Sequence, residues 1–155
     1  MATNFTLSRL QYLEKWVPNV SVFGIIQGQW AGATLLSSKQ FGIGGAPYNR
    51  SYQPYAVTGD SGVQGRLELR YTRDLTYKLL KNYMLYGYYT YGRVWNRCPS
   101  EDEAKVASAP GVGAGIRFLM GKSLSWYVEY ARPLKDMING VPNKDKFYTG
   151  ISYYF

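Results

Sequence analysis

The sequence predicts an all-β chain, an antiparallel up-and-down transmembrane β-barrel, and three observations carry that prediction. Several segments alternate apolar and polar residues with a period of two, large aromatics gather at segment ends, and the connections alternate between short and long. The 155 residues include 16 tyrosines, four tryptophans and 17 glycines, a composition suited to pleated surfaces rather than helices. That length fits one domain, residues 1–155.

Eight candidate strands follow one another at about 4–15, 20–31, 39–44, 62–73, 82–96, 108–120, 123–131 and 146–155. The first two flank the short connection KWVPN and run to Trp16 and Trp30. The third is short and ends in Gly44 and Gly45. In the fourth, Val63, Gly65, Leu67, Leu69 and Tyr71 share one face, and Gln64, Arg66, Glu68, Arg70 and Thr72 share the other. The fifth is rich in tyrosine and bounded by Tyr83 and Trp95. In the sixth, Val112, Ala114, Ile116, Phe118 and Met120 oppose Gly111, Gly113, Gly115 and Arg117. The seventh sets Leu124, Trp126, Val128 and Tyr130 against Ser125, Tyr127 and Glu129. The last sets Phe147, Ile151, Tyr153 and Phe155 against Tyr148, Gly150, Ser152 and Tyr154.

Two environments produce such a dyad. A soluble barrel of the lipocalin or streptavidin kind turns the apolar face into a core, whereas an outer-membrane barrel turns it toward lipid and lines its lumen with the polar face. The membrane reading accounts for the aromatic ends, which suit both bilayer interfaces, and for segments reaching the roughly 9–11 residues of a tilted spanning strand. An even strand count with both termini in the periplasm places the long connections GGAPYNRSYQPYAVTGDSG, NRCPSEDEAKVASAP and RPLKDMINGVPNKDK outside and MGKS inside.

Other chemistries find little support. The net charge is +8, yet the basic residues are scattered rather than clustered, so nucleic acid is not implied as a partner. Without histidine, and with Cys98 alone, no metal site, cofactor or catalytic constellation is expected. MATNFTLSRL lacks the features of a signal peptide, leaving a cytoplasmic chain or a piece whose export signal lies elsewhere. No apolar run is long enough for a spanning helix. GIGGAP and GVGAG lack the spacing of phosphate-binding loops, and Gly111, Gly113 and Gly115 read instead as an inward trough for neighbouring Tyr or Arg side chains. Glu68 and Glu129 both face inward, where flanking arginines favour ion pairs over a glycosidase-type acid and base. Glu101, Asp102 and Glu103 read as a solvated external loop, with a divalent cation as the alternative.

The ordered set QGQWAGATLLSSKQFGIGGAPYNRSY, GDSGVQGRLELRY, YYTYGRVW, ASAPGVGAGIRFLM, EYARPL and the terminal ISYYF resembles the C-terminal half of the haemolysin activation/secretion family. These are the outer-membrane transporters of two-partner secretion, relatives of the barrel-assembly insertases in the Omp85 superfamily of Gram-negative bacteria. The resemblance implies the last eight strands of a sixteen-stranded barrel, without the periplasmic POTRA repeats that precede it in full-length members.

In that family a long loop folds back into the lumen, and its tip carries a Val-Arg-Gly-Tyr/Phe motif. The matching positions are Asn49, Arg50, Ser51 and Tyr52, so the arginine and the aromatic are kept and the other two are not. The family's tip arginine contacts a Gly-x-Glu element and a Phe-x-Asp-x-Gly element on the two following strands. Their counterparts are Gly65 with Glu68, and Tyr88, Thr90 and Gly92, with Thr90 in place of the aspartate. Glu68 is therefore the expected partner of Arg50, since a charge carried into a confined lumen needs a carboxylate. Gly44 and Gly45 are expected to let the chain reverse inward. On charge pattern alone, Arg50 reads first as a solvated loop residue, and it is the resemblance that turns it inward.

The terminal strand, with Phe147, Ile151, Tyr153 and Phe155 on one face, resembles the signal by which outer-membrane barrels engage the assembly machinery. The functional expectation is an outer-membrane translocator that moves an extended, secreted client, with loop 45–61 as its lock. Outer-membrane lipid, the client and the barrel-assembly machinery are its expected partners. The alternative is a stand-alone eight-stranded barrel with a structural, adhesive or surface-binding role, its interior filled by side chains.

Overall fold

The computed structural model describes residues 1–77, 79–99, 104–121, 123–138 and 141–154. The chain is built on one antiparallel sheet. Its long strands are β1 (Ala2–Tyr12), β2 (Val20–Ala31), β5 (Ser61–Asp74), β6 (Leu80–Trp95), β8 (Gly111–Met120), β9 (Leu124–Pro133) and β12 (Lys146–Tyr153), in that spatial order. The eighth member is the short β7 (Val106–Ser108), which extends the partner face of β6 beyond β8. Two hairpins lie off the sheet, β3 (Phe41–Ile43) with β4 (Val57–Gly59), and β10 (Met137–Ile138) with β11 (Val141–Pro142).

The main sheet thus has eight strands, though not the eight the alternation predicts. Residues 39–44 do not span; only Phe41–Ile43 forms a strand, and it pairs with Val57–Gly59 inside the long connection. Gly44 and Gly45, at φ 113° and 80°, turn the chain away at once, so no ladder can continue. With seven long strands, the termini fall at opposite ends of the sheet rather than together. Ala2 pairs with Ala31 beside the long connection, whereas Tyr153 pairs with Leu124 at the end of the short turns. The three short turns, at 13–19, 75–79 and 121–123, share one end, and the long connections at 32–60, 96–110 and 134–145 share the other.

Among the described residues β1 pairs only with β2 and β12 only with β9, so the sheet is not closed. Its two faces are unlike each other. Leu67, Leu69, Leu85, Tyr89, Phe147 and Ile151 point outward and are exposed, while Gln64, Arg66, Glu68, Tyr86, Tyr88, Thr90 and Glu129 point inward and are buried. The inward face is covered by the 32–60 connection. Phe41, Ile43, Tyr52 and Val57 of that connection pack with Val94, Ala109 and Ile138 into the apolar cluster of the molecule. Bare glycines on the wall make room for it: a Cβ on Gly92 would collide with Ile43, and one on Gly62 with Phe41.

Candidate functional site

The site begins where β3 ends. Gly44 donates its amide to Gln64 Oε1 at 3.4 Å, and its own Cβ, if it had one, would run into the carbonyl of Gln53. From there residues 45–52 form a compact turn closed by Asn49 N to Gly45 O (2.8 Å) and Gly45 N to Tyr52 O (3.2 Å). This turn presents Asn49, Arg50, Ser51 and Tyr52 to the wall one after another.

Each of the four has a defined seat. Asn49 is fully buried, donates Nδ2–H to Ala109 O at 2.8 Å and accepts the Thr90 hydroxyl on Oδ1 at 2.9 Å. Ser51 sits over Gly111, where a wall side chain would collide with it, and donates to Val112 O at 3.4 Å. Tyr52 is buried, donates to Pro110 O at 2.7 Å and accepts from Lys135 N at 3.3 Å. Burial raises the Tyr52 phenol above its ordinary pKa, so it remains a neutral donor.

Arg50 reaches furthest. Its Nη1 donates to Glu129 Oε2 at 2.9 Å, its guanidinium lies 5.5 Å from the Tyr127 ring centroid, and its carbonyl accepts the Tyr148 hydroxyl at 2.8 Å. The side chain of Glu129 is 1% exposed, and both its oxygens are occupied: Tyr88 donates to Oε1 at 2.7 Å and Tyr86 to Oε2 at 2.8 Å. Three donors thus converge on one buried carboxyl group.

The expected partnership of Arg50 with Glu68 is corrected here. Glu68 is held by its own strand, by Arg66 Nη2 at 2.5 Å and Arg70 Nε at 2.6 Å. Side chains two apart on a strand share a face, so those arginines take the carboxylate before the loop can reach it. Arg66 also lies 3.9 Å from Glu129 Oε2, with its guanidinium 3.7 Å from the Tyr88 ring centroid. The two glutamates are therefore joined through a guanidinium, an arrangement for holding charge rather than for acid–base exchange.

Three arginines, Arg50, Arg66 and Arg70, share two carboxylates in this cluster. Among the described residues, Arg50 Nε and Arg66 Nε are buried without hydrogen-bond partners.

Of the wall positions predicted from sequence, Thr90 meets the loop directly through Asn49, Gly92 recesses Ile43, and Tyr88 acts through Glu129. Gly65 faces outward, away from the loop, with a place in the sheet between Ile26 and Tyr91. The inward trough along β8 receives Ser51 at Gly111, the Tyr88 ring at Gly113 and the Tyr86 ring at Gly115. Sequence reasoning placed Glu129 inward but did not assign it to Arg50, nor did it assign Tyr148. The signal was the inward parity of both residues on their strands; what it lacks is the stagger that brings them under the loop tip.

A second clasp lies at the root of the long connection. Asp60 is buried and accepts the amides of Leu35 (2.7 Å) and Arg97 (2.9 Å). Burial alone would raise its pKa, but those amides outweigh it and hold the carboxyl below its usual range. On β12, Phe147, Ile151 and Tyr153 face outward with Phe147 stacked obliquely on Tyr130; Phe155 lies outside the described residues, as do Glu101, Asp102 and Glu103.

A long loop returned onto the inward face of an antiparallel sheet, with an arginine at its tip meeting a wall carboxylate, is what comparison with known proteins must explain. The profile of the haemolysin secretion/activation proteins ShlB, FhaC and HecB matches residues 2–118. The chain belongs to the haemolysin secretion/activation family. It is also 31% identical over 147 residues to the heme/hemopexin transporter protein HuxB of Haemophilus influenzae (strain 86-028NP), a match covering 92% of this chain. The chain spans 25% of the length of that relative. The family comprises outer-membrane transporters of two-partner secretion in Gram-negative bacteria, so its members serve a secreted client and are a transporter class rather than an enzyme class.

Proposed function

We propose that this chain forms part of the wall of an outer-membrane translocation channel, and that loop 45–61 lies in the lumen as a releasable lock. An extended client protein passes that lumen when the loop yields. The observation that carries the reading is the contact of Arg50 with the buried Glu129, which joins the loop tip to a strand 79 residues away in sequence. One ion pair between loop and wall, flanked by neutral hydrogen bonds from Asn49, Ser51 and Tyr52, is strong enough to hold a default state. Its excess of cation over carboxylate supports a lock that opens.

The outward face supports placement in a bilayer. Its apolar side chains are exposed while Arg66, Glu68 and Glu129 of the opposite face are buried, the inverse of a water-soluble protein. Phe147, Ile151, Tyr153 and Phe155 then serve as the edge signal for the assembly machinery. The unpaired edges at β1 and β12 favour a share in a larger barrel over a closed small one.

The test is planar-bilayer conductance together with client secretion, using the protein purified from outer membranes. Arg50→Ala is expected to raise conductance and lower secretion. Conductance and secretion equal to wild type would overturn the lock.

A further inference from the structure

The outward face carries an open apolar groove of about 660 Å³ across β1, β2, β5 and β6. Its floor follows from the register. One row across the sheet runs Arg9, Gly24, Leu67, Tyr89, and the next runs Leu7, Ile26, Gly65, Tyr91. The two glycines sit diagonally in those rows, each leaving a gap between large side chains. The gap at Gly24 is the more open of the two: the nearest group to a Cβ there would be Leu67 Cδ1 at 3.9 Å, whereas one on Gly65 would meet the Ile25 carbonyl at 3.1 Å and the Ile26 side chain at 3.7 Å. At Gly28 the same sheet does close such a gap, with the Phe5 ring lying over the glycine. The groove is therefore an open gap on the outward face, and what sets it apart from the gap at Gly87 is the charge at its end.

One end of it holds a charge. Arg9 faces outward among apolar residues, and its Nη2 donates to Gln11 Oε1 at 2.9 Å. Among the described residues no carboxylate lies within ion-pairing distance of it, whereas outward Arg132 approaches Asp145 at 4.0 Å and outward Arg93 lies over Trp95. Arg9 is three residues from the short-turn end of β1, within reach of that interface for a side chain that snorkels.

We infer that this groove binds a phospholipid with an anionic headgroup in the periplasmic leaflet. The phosphate is held by the Arg9 guanidinium, and one acyl chain lies over Gly24 and Gly65. A guanidinium left without a counter-ion at a bilayer interface takes a phosphate, and the groove beside it is apolar and of ligand size. The assignment rests on the membrane placement proposed above.

The experiment reconstitutes the protein in phosphatidylcholine nanodiscs containing a minor fraction of phosphatidylglycerol. Lipid that stays bound after detergent extraction is counted by native mass spectrometry. Wild type should retain phosphatidylglycerol, and Arg9→Gln should retain about tenfold less, as one lost charge-assisted contact implies. Gly24→Leu, which keeps the Arg9 charge and whose Cβ meets nothing nearer than Leu67 Cδ1 at 3.9 Å, fills the groove and should lose the same lipid. Heat-modifiable gel mobility shows whether each variant is folded. Equal retention by wild type and both folded variants would overturn the site, as would displacement of the lipid by inorganic phosphate alone, which would leave the groove no part in binding. A protein that folds as a monomer in buffer without detergent would instead refute the membrane placement, a separate result.

Discussion

Replacing Glu129 by Gln preserves shape while removing one of the two carboxylates that hold the loop cluster together. The variant leaves Arg50, Arg66 and Arg70 facing Glu68 alone, which is already occupied by the latter two. Stripping one partner from a buried pair costs about 3–5 kcal/mol. The Arg50 side chain is 21% exposed and regains some hydration, so about 2–4 kcal/mol is the reasonable share. At about 1.4 kcal/mol per decade, the population with its loop released rises roughly 30- to 1000-fold. Glu68→Gln is the control, because Glu68 does not touch the loop. Limited proteolysis of loop 45–61 in nanodiscs, read as initial cleavage rate, measures the released fraction directly. The expected order is Glu129→Gln well above Glu68→Gln, with wild type lowest. Equal rates for wild type and Glu129→Gln, or a faster rate for Glu68→Gln, would refute the assignment of Glu129 as the anchor.

Asn49→Ala leaves the Ala109 carbonyl and Thr90 hydroxyl buried and unpaired, costing about 1–3 kcal/mol, and should raise the same cleavage rate less than Glu129→Gln does. Gly92→Val drives a side chain into Ile43, costing about 1–3 kcal/mol of overpacking, and should lift the β3–β4 hairpin; unchanged cleavage at 41–59 would contradict this. Leu67→Arg should cost about 2–4 kcal/mol in a bilayer, measured by urea unfolding in vesicles, whereas a water-facing site would tolerate it. The Asp60 clasp has a carboxyl whose pKa is lower in the folded chain than in the unfolded one, so its contribution is complete above the unfolded value and is lost as pH falls through the folded one. Residues 32–40 should accordingly become protease-sensitive only in strong acid, and Asp60→Asn should remove that transition. Deleting Phe155 should lower outer-membrane assembly, measured as heat-modifiable protein in the membrane fraction.

Which parts of this were legible in the sequence follows from what periodicity encodes. The long strands announce themselves because one face of each is apolar over eight or more residues, as in Leu124–Pro133 and Gly111–Met120. Residues 39–44 read as a spanning strand although only Phe41–Ile43 pairs, since three residues carry no measurable period to tell the two apart, and the partner Val57–Gly59 lies in what reads as loop. Parity correctly turns Glu68 and Glu129 inward together, but the choice between them depends on strand stagger and on which arginines arrive first. Arg66 and Arg70 flank Glu68 in sequence, and that adjacency was the readable reason to look elsewhere for the partner of Arg50. Two of the three departures from the family pattern meet each other: Asn49 stands where the small apolar residue would be, Thr90 stands where the aspartate would be, and they hydrogen-bond together. The ion pair of the tip is made instead with Glu129 on β9.

The hydroxyl of Tyr148 closes on the carbonyl of Arg50 across 98 positions of chain. No local stretch can therefore seat the tip by itself. On the proposed reading, β12 has to be paired with β9 before the loop tip acquires this fastening, so the seated loop follows the costly loop closures between distant segments. A chain arrested before residue 148 would lack this bond at the tip, so in the proposed lock the seating of the loop reports that β12 has joined the sheet.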